Sequence, residues 1–292
     1  MRLSEPNVVY LLTRVGIRTV KKLPDFDWYN KVVGLTCLDD ELFVLRNRYK
    51  DDDYSSDEEE DQNYHVEVYS TKSSANYTGL REFSANGRGT DIVSCERRRC
   101  LYISNRDNNR IDKSDLNGDL VAKWSVPDSP YGLSLTPGSN LLVTCPHRRR
   151  LVELWSESGE CIRQVELQSY IKEPWHAMQL VSQLYVVSHS YNELSRVSVV
   201  DSGGPVLRTF IGLGLSDYDV NLLSCPCHVT RGIDDFTFVA DNENNRVVLL
   251  SPRLELVRHI RLKQRPHRLY LDLVRRSLYV GYDSGDVTVL QV

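Results

Sequence analysis

Residues 236–262, FTFVADNENNRVVLLSPRLELVRHIRL, break into three short apolar runs separated by turn chemistry. Phe236 to Ala240, Arg246 to Leu250 and Glu255 to Leu262 are each of strand length and rich in valine, leucine or phenylalanine. Between the first two lies Asp241-Asn242-Glu243-Asn244-Asn245, whose short side chains bond their own backbone and tolerate left-handed conformations. Ser251-Pro252-Arg253 plays the same part before the third run. Three antiparallel strands cannot bury their faces alone, so the stretch predicts copies of itself elsewhere in the chain.

The copies are present. The apolar middle strand of the unit recurs as LFVLRN (42–47), LYISNRD (101–107), LLVTCPH (141–147), LYVVSHS (184–190), FTFVADN (236–242) and LYVGYDS (278–284). Tyr102 to Leu142, Leu142 to Tyr185 and Phe238 to Tyr279 are separated by 40, 43 and 41 positions, the period of a four-stranded propeller blade. A further strand precedes each copy and is often opened by proline: PYGLSL (130–135), PWHAMQL (174–180), PCHVTR (226–231) and PHRLYL (266–271). Proline fits the first position of a strand because it needs no amide partner there.

The sixth copy ends at Val292 after its third strand, and GIRTVKKL (16–23) carries the pattern of the missing fourth. The expected fold is therefore all-β, a six-bladed β-propeller of four-stranded antiparallel blades closed by an N-terminal strand. Closure in this manner removes the open sheet edge that would otherwise invite aggregation. Val8 to Thr13 has strand character as well, and its place in the ring is not set by the pattern.

The chain of 292 residues reads as one domain, 1–292, with an acidic insert within 47–64. The core of that insert, KDDDYSSDEEEDQ (50–62), is a block of like charge with little apolar content and is expected to stay unstructured. A second insert, IGLGLSDYDVNLLS (211–224), lengthens the approach to the fifth blade. Hydrophobic residues at 41% and charged residues at 26% are ordinary globular values. The net charge of −4 argues against a dedicated nucleic-acid binder. The N-terminus lacks the pattern of a signal peptide, and no apolar run reaches membrane-spanning length. A soluble, monomeric, cytoplasmic chain is expected, with its seven cysteines reduced.

The signatures LYISNRDNNRI (101–111) and FTFVADNENNRV (236–247), with the proline-led strands PYGLSL and PWHAMQL, resemble the NHL-repeat propellers found at the C-terminus of many tripartite-motif proteins. The resemblance runs through about six blades, and it implies an interaction domain whose turn-bearing face binds protein or RNA. Ring-finger, B-box and coiled-coil segments have no counterpart in the sequence, so no ligase activity is expected of it.

Antiparallel blades bring the turns between second and third strands to the same face as the lead-ins to each first strand. That face is expected to gather Arg106, Asn108, Asn109 and Arg110; His147, Arg148, Arg149 and Arg150; His189, Tyr191 and Asn192; and Asn245 and Arg246. The lead-ins add Trp28, Tyr29, Tyr131, Trp175, His176, His228, Lys263, Arg265, His267 and Arg268. Basic groups interleaved with aromatics can hold anions while planar groups stack. Tyr131, Trp175, His176, Arg106, Arg110, His147, Arg148, Arg149, Arg150, Arg246, His267 and Arg268 are the candidate partner-binding residues. The partner expected first is a protein, with single-stranded RNA as the alternative.

A catalytic reading is weaker. Some six-bladed propellers related to this family are zinc-dependent lyases, and His176, His228 and His267 occupy corresponding strands near the axis, where three imidazoles would leave an open metal position. His176 and His228 each lie two residues after their proline, whereas His267 lies one after Pro266, which alternation turns the other way. With no nucleophile–base pair, phosphate-cradling loop or paired carboxylates in the sequence, neither catalysis nor a cofactor is expected.

Overall fold

The computed structural model describes residues 17–20, 28–50, 63–72, 77–191, 194–211 and 222–292, with side chains described except at 17–20, 28–30, 48–50, 63, 191 and 194. The acidic residues 51–62, the loop residues 212–221, Val8 to Thr13 and Asn192 lie outside the described residues, as do the side chains of Trp28, Tyr29 and Tyr191.

Strand β1 (Ile17–Val20) precedes six successive groups. The first blade is β2 (Trp28–Leu38), β3 (Glu41–Lys50), β4 (Asn63–Ser70) and β5 (Thr78–Ser84); the second is β6 (Gly89–Cys95), β7 (Cys100–Asn105), β8 (Arg110–Ser114) and β9 (Leu120–Ser125). The third holds β10 (Leu133–Leu135), β11 (Leu141–Cys145), β12 (Arg150–Leu154) and β13 (Cys161–Glu166), and the fourth β14 (Pro174–Gln179), β15 (Tyr185–Tyr191), β16 (Leu194–Val200) and β17 (Val206–Phe210). In the fifth are β18 (Pro226–Arg231), β19 (Thr237–Asp241), β20 (Arg246–Leu250) and β21 (Leu256–Arg261). The last has β22 (Pro266–Asp272), β23 (Ser277–Tyr282) and β24 (Val287–Gln291), completed by β1. Ile17 faces Leu290 and Val20 faces Val287, so the ring closes as expected through an N-terminal strand. Among the described residues the only helical element is a 3-10 turn at Ile233–Asp235.

Burial explains why the second strand of each blade is the most legible in sequence. Strands β7, β11, β19 and β23 are buried at every position because each is flanked by neighbouring blades on both faces. Such strands read as continuous apolar runs rather than alternating ones. The outermost strands β9, β13 and β21 bury little beyond one residue each, Trp124, Val165 and Ile260, which explains their weaker signal. Apolar clusters fill the gaps between blades: Tyr102, Trp124 and Val143 meet between the second and third, and Val186, Val239 and Val248 between the fourth and fifth.

The turns after the second strands also follow the sequence reading. Asn109, Arg149 and Asn245 take positive φ values of 47°, 50° and 50° at one equivalent turn position, a conformation asparagine accepts readily and arginine does not. The first blade differs from expectation, since pairing of Arg48 with Asn63 carries β3 and β4 into the segment read as acidic loop. Ladder bonds are made by backbone and do not require apolar side chains.

Towards the axis, register shifts interrupt the first strands: between Pro174 and His176, Pro226 and His228, Pro266 and Arg268, Gly89 and Ile92, and Val32 and Gly34. A β-bulge re-aims the residue it carries. Gly34, Asp91, Gly132, His176, His228 and Arg268 come to corresponding inner positions around the ring. At two of these only glycine fits. A Cβ on Gly34 would lie 2.8 Å from the backbone nitrogen of Ile92, and one on Gly132 would lie 2.7 Å from the carbonyl oxygen of Trp175.

Gly34→Ala and Gly132→Ala are each expected to lower stability by about 1–3 kcal/mol, because backbone rather than a flexible side chain must yield. Urea unfolding checks this; a midpoint unchanged in both variants would show that the inner strands are not in contact.

Candidate functional site

The inner positions form a closed polar plug. Arg268 is 2% exposed, and its guanidinium donates from Nε to the Val33 carbonyl at 2.6 Å, from Nη2 to Thr90 at 2.9 Å and from Nη1 to His267 at 3.0 Å. Its Nε lies 3.7 Å from the Asp91 carboxylate, whose two oxygens each accept a backbone N–H at 2.9 Å, from Ile92 and Leu133. His176 Nε2 bonds the Leu133 carbonyl at 2.9 Å and lies 3.6 Å from Asp91. The His176 ring stacks on that of His228 with centroids 3.8 Å apart. Buried without a hydrogen-bond partner are Nδ1 of His176 and Nδ1 of His228.

Burial sets the charge states. It pushes the Asp91 carboxyl up to about 6 in spite of Arg268 and the two backbone donors. It also brings His176 down to about 3, His189 down to about 4, and His228 and His267 well below the usual imidazole range, with Arg268 opposing a further positive charge on His176, His228 and His267. These histidines are neutral at physiological pH.

Three of these candidates, with His228 from the same lead-ins, therefore leave the exposed face. His176, His228, His267 and Arg268 are buried in the plug, because the bulge after each lead-in proline turns the chain inward instead of letting strand alternation run from the turn. Nor is the three-histidine arrangement of a zinc lyase assembled. His267 Nδ1 bonds the Val32 carbonyl at 2.8 Å, and Arg268 stands in the position corresponding to His176 and His228. Asp91, His176 and His228 do bring three possible ligand atoms within 4.8 Å of one another, as do His65, Glu67 and Glu82 in the first blade. The first group is engaged by Arg268 and by ring stacking. In the second, Glu67 is bonded by Arg46, His65 and Tyr69; against the effect of burial, those bonds and the Arg46 charge hold its carboxyl down to about 2.

Three more candidates are cations already matched on the turn face: Arg110 with Asp112 at 2.7 Å, Arg150 with Glu166 at 2.9 Å and Arg246 with Asp241 at 2.5 Å. Arg148 lies on the exposed turn beside the cavity, its backbone N–H donated to Asp128 at 2.8 Å.

The remaining five line one cavity. Arg106, Tyr131, His147, Arg149 and Trp175, with Ser129, Pro146, Lys172 and Glu173, surround about 360 Å³ on that face, at the junction of the second, third and fourth blades. Tyr131 and Trp175 meet edge to face, centroids 5.2 Å apart, a favoured aromatic geometry. Trp175 Nε1 is buried without a partner. Arg106 Nη2 lies 3.3 Å from His147 Nε2, a contact in which the guanidinium donates and the imidazole nitrogen accepts. The wall is joined to the plug, since Arg268 Cζ lies 5.8 Å from the Tyr131 ring centroid. Sequence reasoning assigned the cavity residues to the right face. It missed Lys172 and Glu173, whose only signal was their place just before the proline of β14, and Asp91, an acidic residue at a lead-in position otherwise held by glycine, histidine or arginine.

No protein-family model and no curated protein matches the sequence. Solved structures do. Virginiamycin B lyase from Staphylococcus aureus is similar at 12% identity with a TM-score of 0.61, over 96% of this chain and 100% of that one. Hydrazine synthase of Kuenenia stuttgartiensis gives 12% identity and 0.62 over 93% and 98%, and a streptogramin B lyase 11% and 0.60 over 96% and 98%. At these identities the likeness is one of fold.

Removing the charge of Arg268 leaves Asp91 buried with two backbone donors. Arg268→Met is expected to cost about 3–5 kcal/mol at pH 7 and less at pH 5, where Asp91 takes up a proton. Equal losses at the two pH values in urea unfolding would contradict the pairing.

Below pH 6.5 the unfolded chain protonates His176, His189, His228 and His267 while the folded chain does not, so stability falls as pH falls. Asp91 opposes this: between about 6 and the ordinary aspartate value the folded state holds the extra proton. The histidines outnumber it, and each net proton is worth on the order of 1.4 kcal/mol per pH unit. Melting temperature is thus expected to drop steadily from pH 6.5 to 4.5, with a shallower slope in the His176→Gln, His228→Gln double variant; parallel slopes would contradict the burial of the pair.

Proposed function

We propose that this chain is a non-enzymatic docking platform, an NHL-type propeller that receives a segment of a protein partner on the face where the 360 Å³ cavity opens. The observation that carries the proposal is the composition of that cavity. Segments from three blades contribute an aromatic wall and cationic rims to one concave site, the combination that dominates binding energy at protein interfaces. The titratable groups at the axis support the non-enzymatic reading. Asp91, His176, His228 and Arg268 are occupied with one another, and each is less than 10% exposed, so a substrate would have to displace the plug to reach them.

The test is affinity capture on the immobilised chain with nuclease present, comparing the unaltered protein with Trp175→Ala and Tyr131→Ala. Proteins retained by the unaltered chain are expected to be lost from both variants and kept by Arg97→Ala, which lies on the opposite face. Retention that ignores the cavity variants, or that vanishes with nuclease alone, would overturn the proposal.

A further inference from the structure

The cations on the turn-bearing face fall into two sets. Arg88, Arg110, Arg150, Arg246, Arg265 and Lys31 each meet a carboxylate, from Asp107, Asp112, Glu166, Asp241, Glu243 and Asp283. At the cavity the two arginines lack such a pair among the described residues. Arg106 faces an imidazole, and among the described residues Arg149 has no carboxylate within ion-pair distance. Of the groups lining it, Arg106 and Arg149 share the single carboxylate of Glu173.

Arg149 is also an unfavourable choice for its own backbone. In the sister turns the same left-handed position is held by Asn109 and Asn245, with φ of 47° and 50°. A long side chain there costs more than asparagine, a cost this chain also accepts at Arg99 and Arg276, with φ of 49° and 51°, in turns of the opposite face. What it contributes is a guanidinium at the mouth of the cavity.

Taking the docking reading as its basis, we infer that the cavity is a receptor for an oxyanion group, a carboxylate or a phosphate, carried on a peptide segment. The anion sits between Arg106 and Arg149, where charge-assisted and bidentate hydrogen bonds are available. A flanking apolar side chain of the segment lies along the Tyr131–Trp175 wall. The distribution of charge also selects peptide over nucleic acid. A single strand of RNA is held by a groove of cations that follows its backbone over several nucleotides. Six cations of this face are paired with their own acids, which breaks the run of free charge such a strand needs, whereas the compact pair Arg106 and Arg149 suits one anion.

The experiment is binding of the full chain to an array of degenerate decapeptides in which one central position is fixed in turn as each amino acid, phosphoserine or phosphotyrosine, with oligouridylate of similar length alongside. Selection for Asp and Glu, or for the phosphorylated residues, is expected, and which of the two sets is chosen identifies the oxyanion. Arg106→Gln and Arg149→Asn should each weaken the selected peptide about tenfold. Arg149→Asn should leave the melting temperature unchanged or raise it, which separates a binding arginine from a structural one. Selection for neutral or basic residues, no selection at all, tighter binding of oligouridylate, or full binding by the Arg106→Gln, Arg149→Asn double variant would each overturn the inference. A partner captured through Trp175 and Tyr131 but indifferent to the arginines would leave the docking platform standing and remove only the anion.

Discussion

One buried guanidinium holds the middle of the ring. Arg268 comes from the last blade, yet its hydrogen bonds end on Val33 of the first and Thr90 of the second, and it lies beside Asp91 and under Tyr131 of the third. A group with five N–H donors in a rigid plane can serve several carbonyls at once, and no other side chain type does so from a single position. The glycines at Gly34 and Gly132 let the inner strands come close enough for that bonding, and the stacked imidazoles of His176 and His228 fill the opposite side. A second buried arginine secures the seam: Arg46 of the first blade pairs with Glu67 and donates to the Gly285 carbonyl of the last.

The same residue type therefore does three different jobs within one face of the molecule. Arg268 is structural at the axis, Arg110 and Arg246 brace their turns against nearby aspartates, and Arg106 and Arg149 stand over a cavity with no ion pair of their own among the described residues. Sequence position does not distinguish these jobs. Arg110, Arg150 and Arg246 begin third strands in register with one another, while Arg149 is one residue earlier and points to different surroundings. Partner geometry separates them, because an ion pair within the fold consumes the charge that a ligand would otherwise meet.

The propeller was legible in the chain because buried middle strands such as LYISN and LYVGY have no solvent face and therefore no regular polar alternation. The closing strand was legible from GIRTVKKL for a different reason: an outermost strand keeps the pattern of CIRQVEL (161–167) and LVRHIRL (256–262) wherever it lies in the chain. The face on which these turns gather was legible because antiparallel topology fixes which turns share an end. What alternation could not supply was the orientation of residues just after each lead-in proline. The bulges there turned His176, His228 and Arg268 into the plug and made Asp91, in a strand β6 without a lead-in proline, their partner. The three-blade cavity was likewise invisible, since it depends on how far neighbouring turns stand apart.

The pairing of β1 with β24 also governs when the molecule can acquire its structure. Residues at opposite ends of the chain, Ile17 and Leu290 among them, must meet before the last sheet has four strands. On a ribosome, the earlier blades can assemble as they emerge, but the edge of the first remains without its neighbour until the sixth has been made. Long-range pairing of this kind is slow because a very large loop must close. The half-made ring would thus present an unfinished edge for seconds during translation, making the nascent chain, more than the finished one, the form in need of chaperone protection.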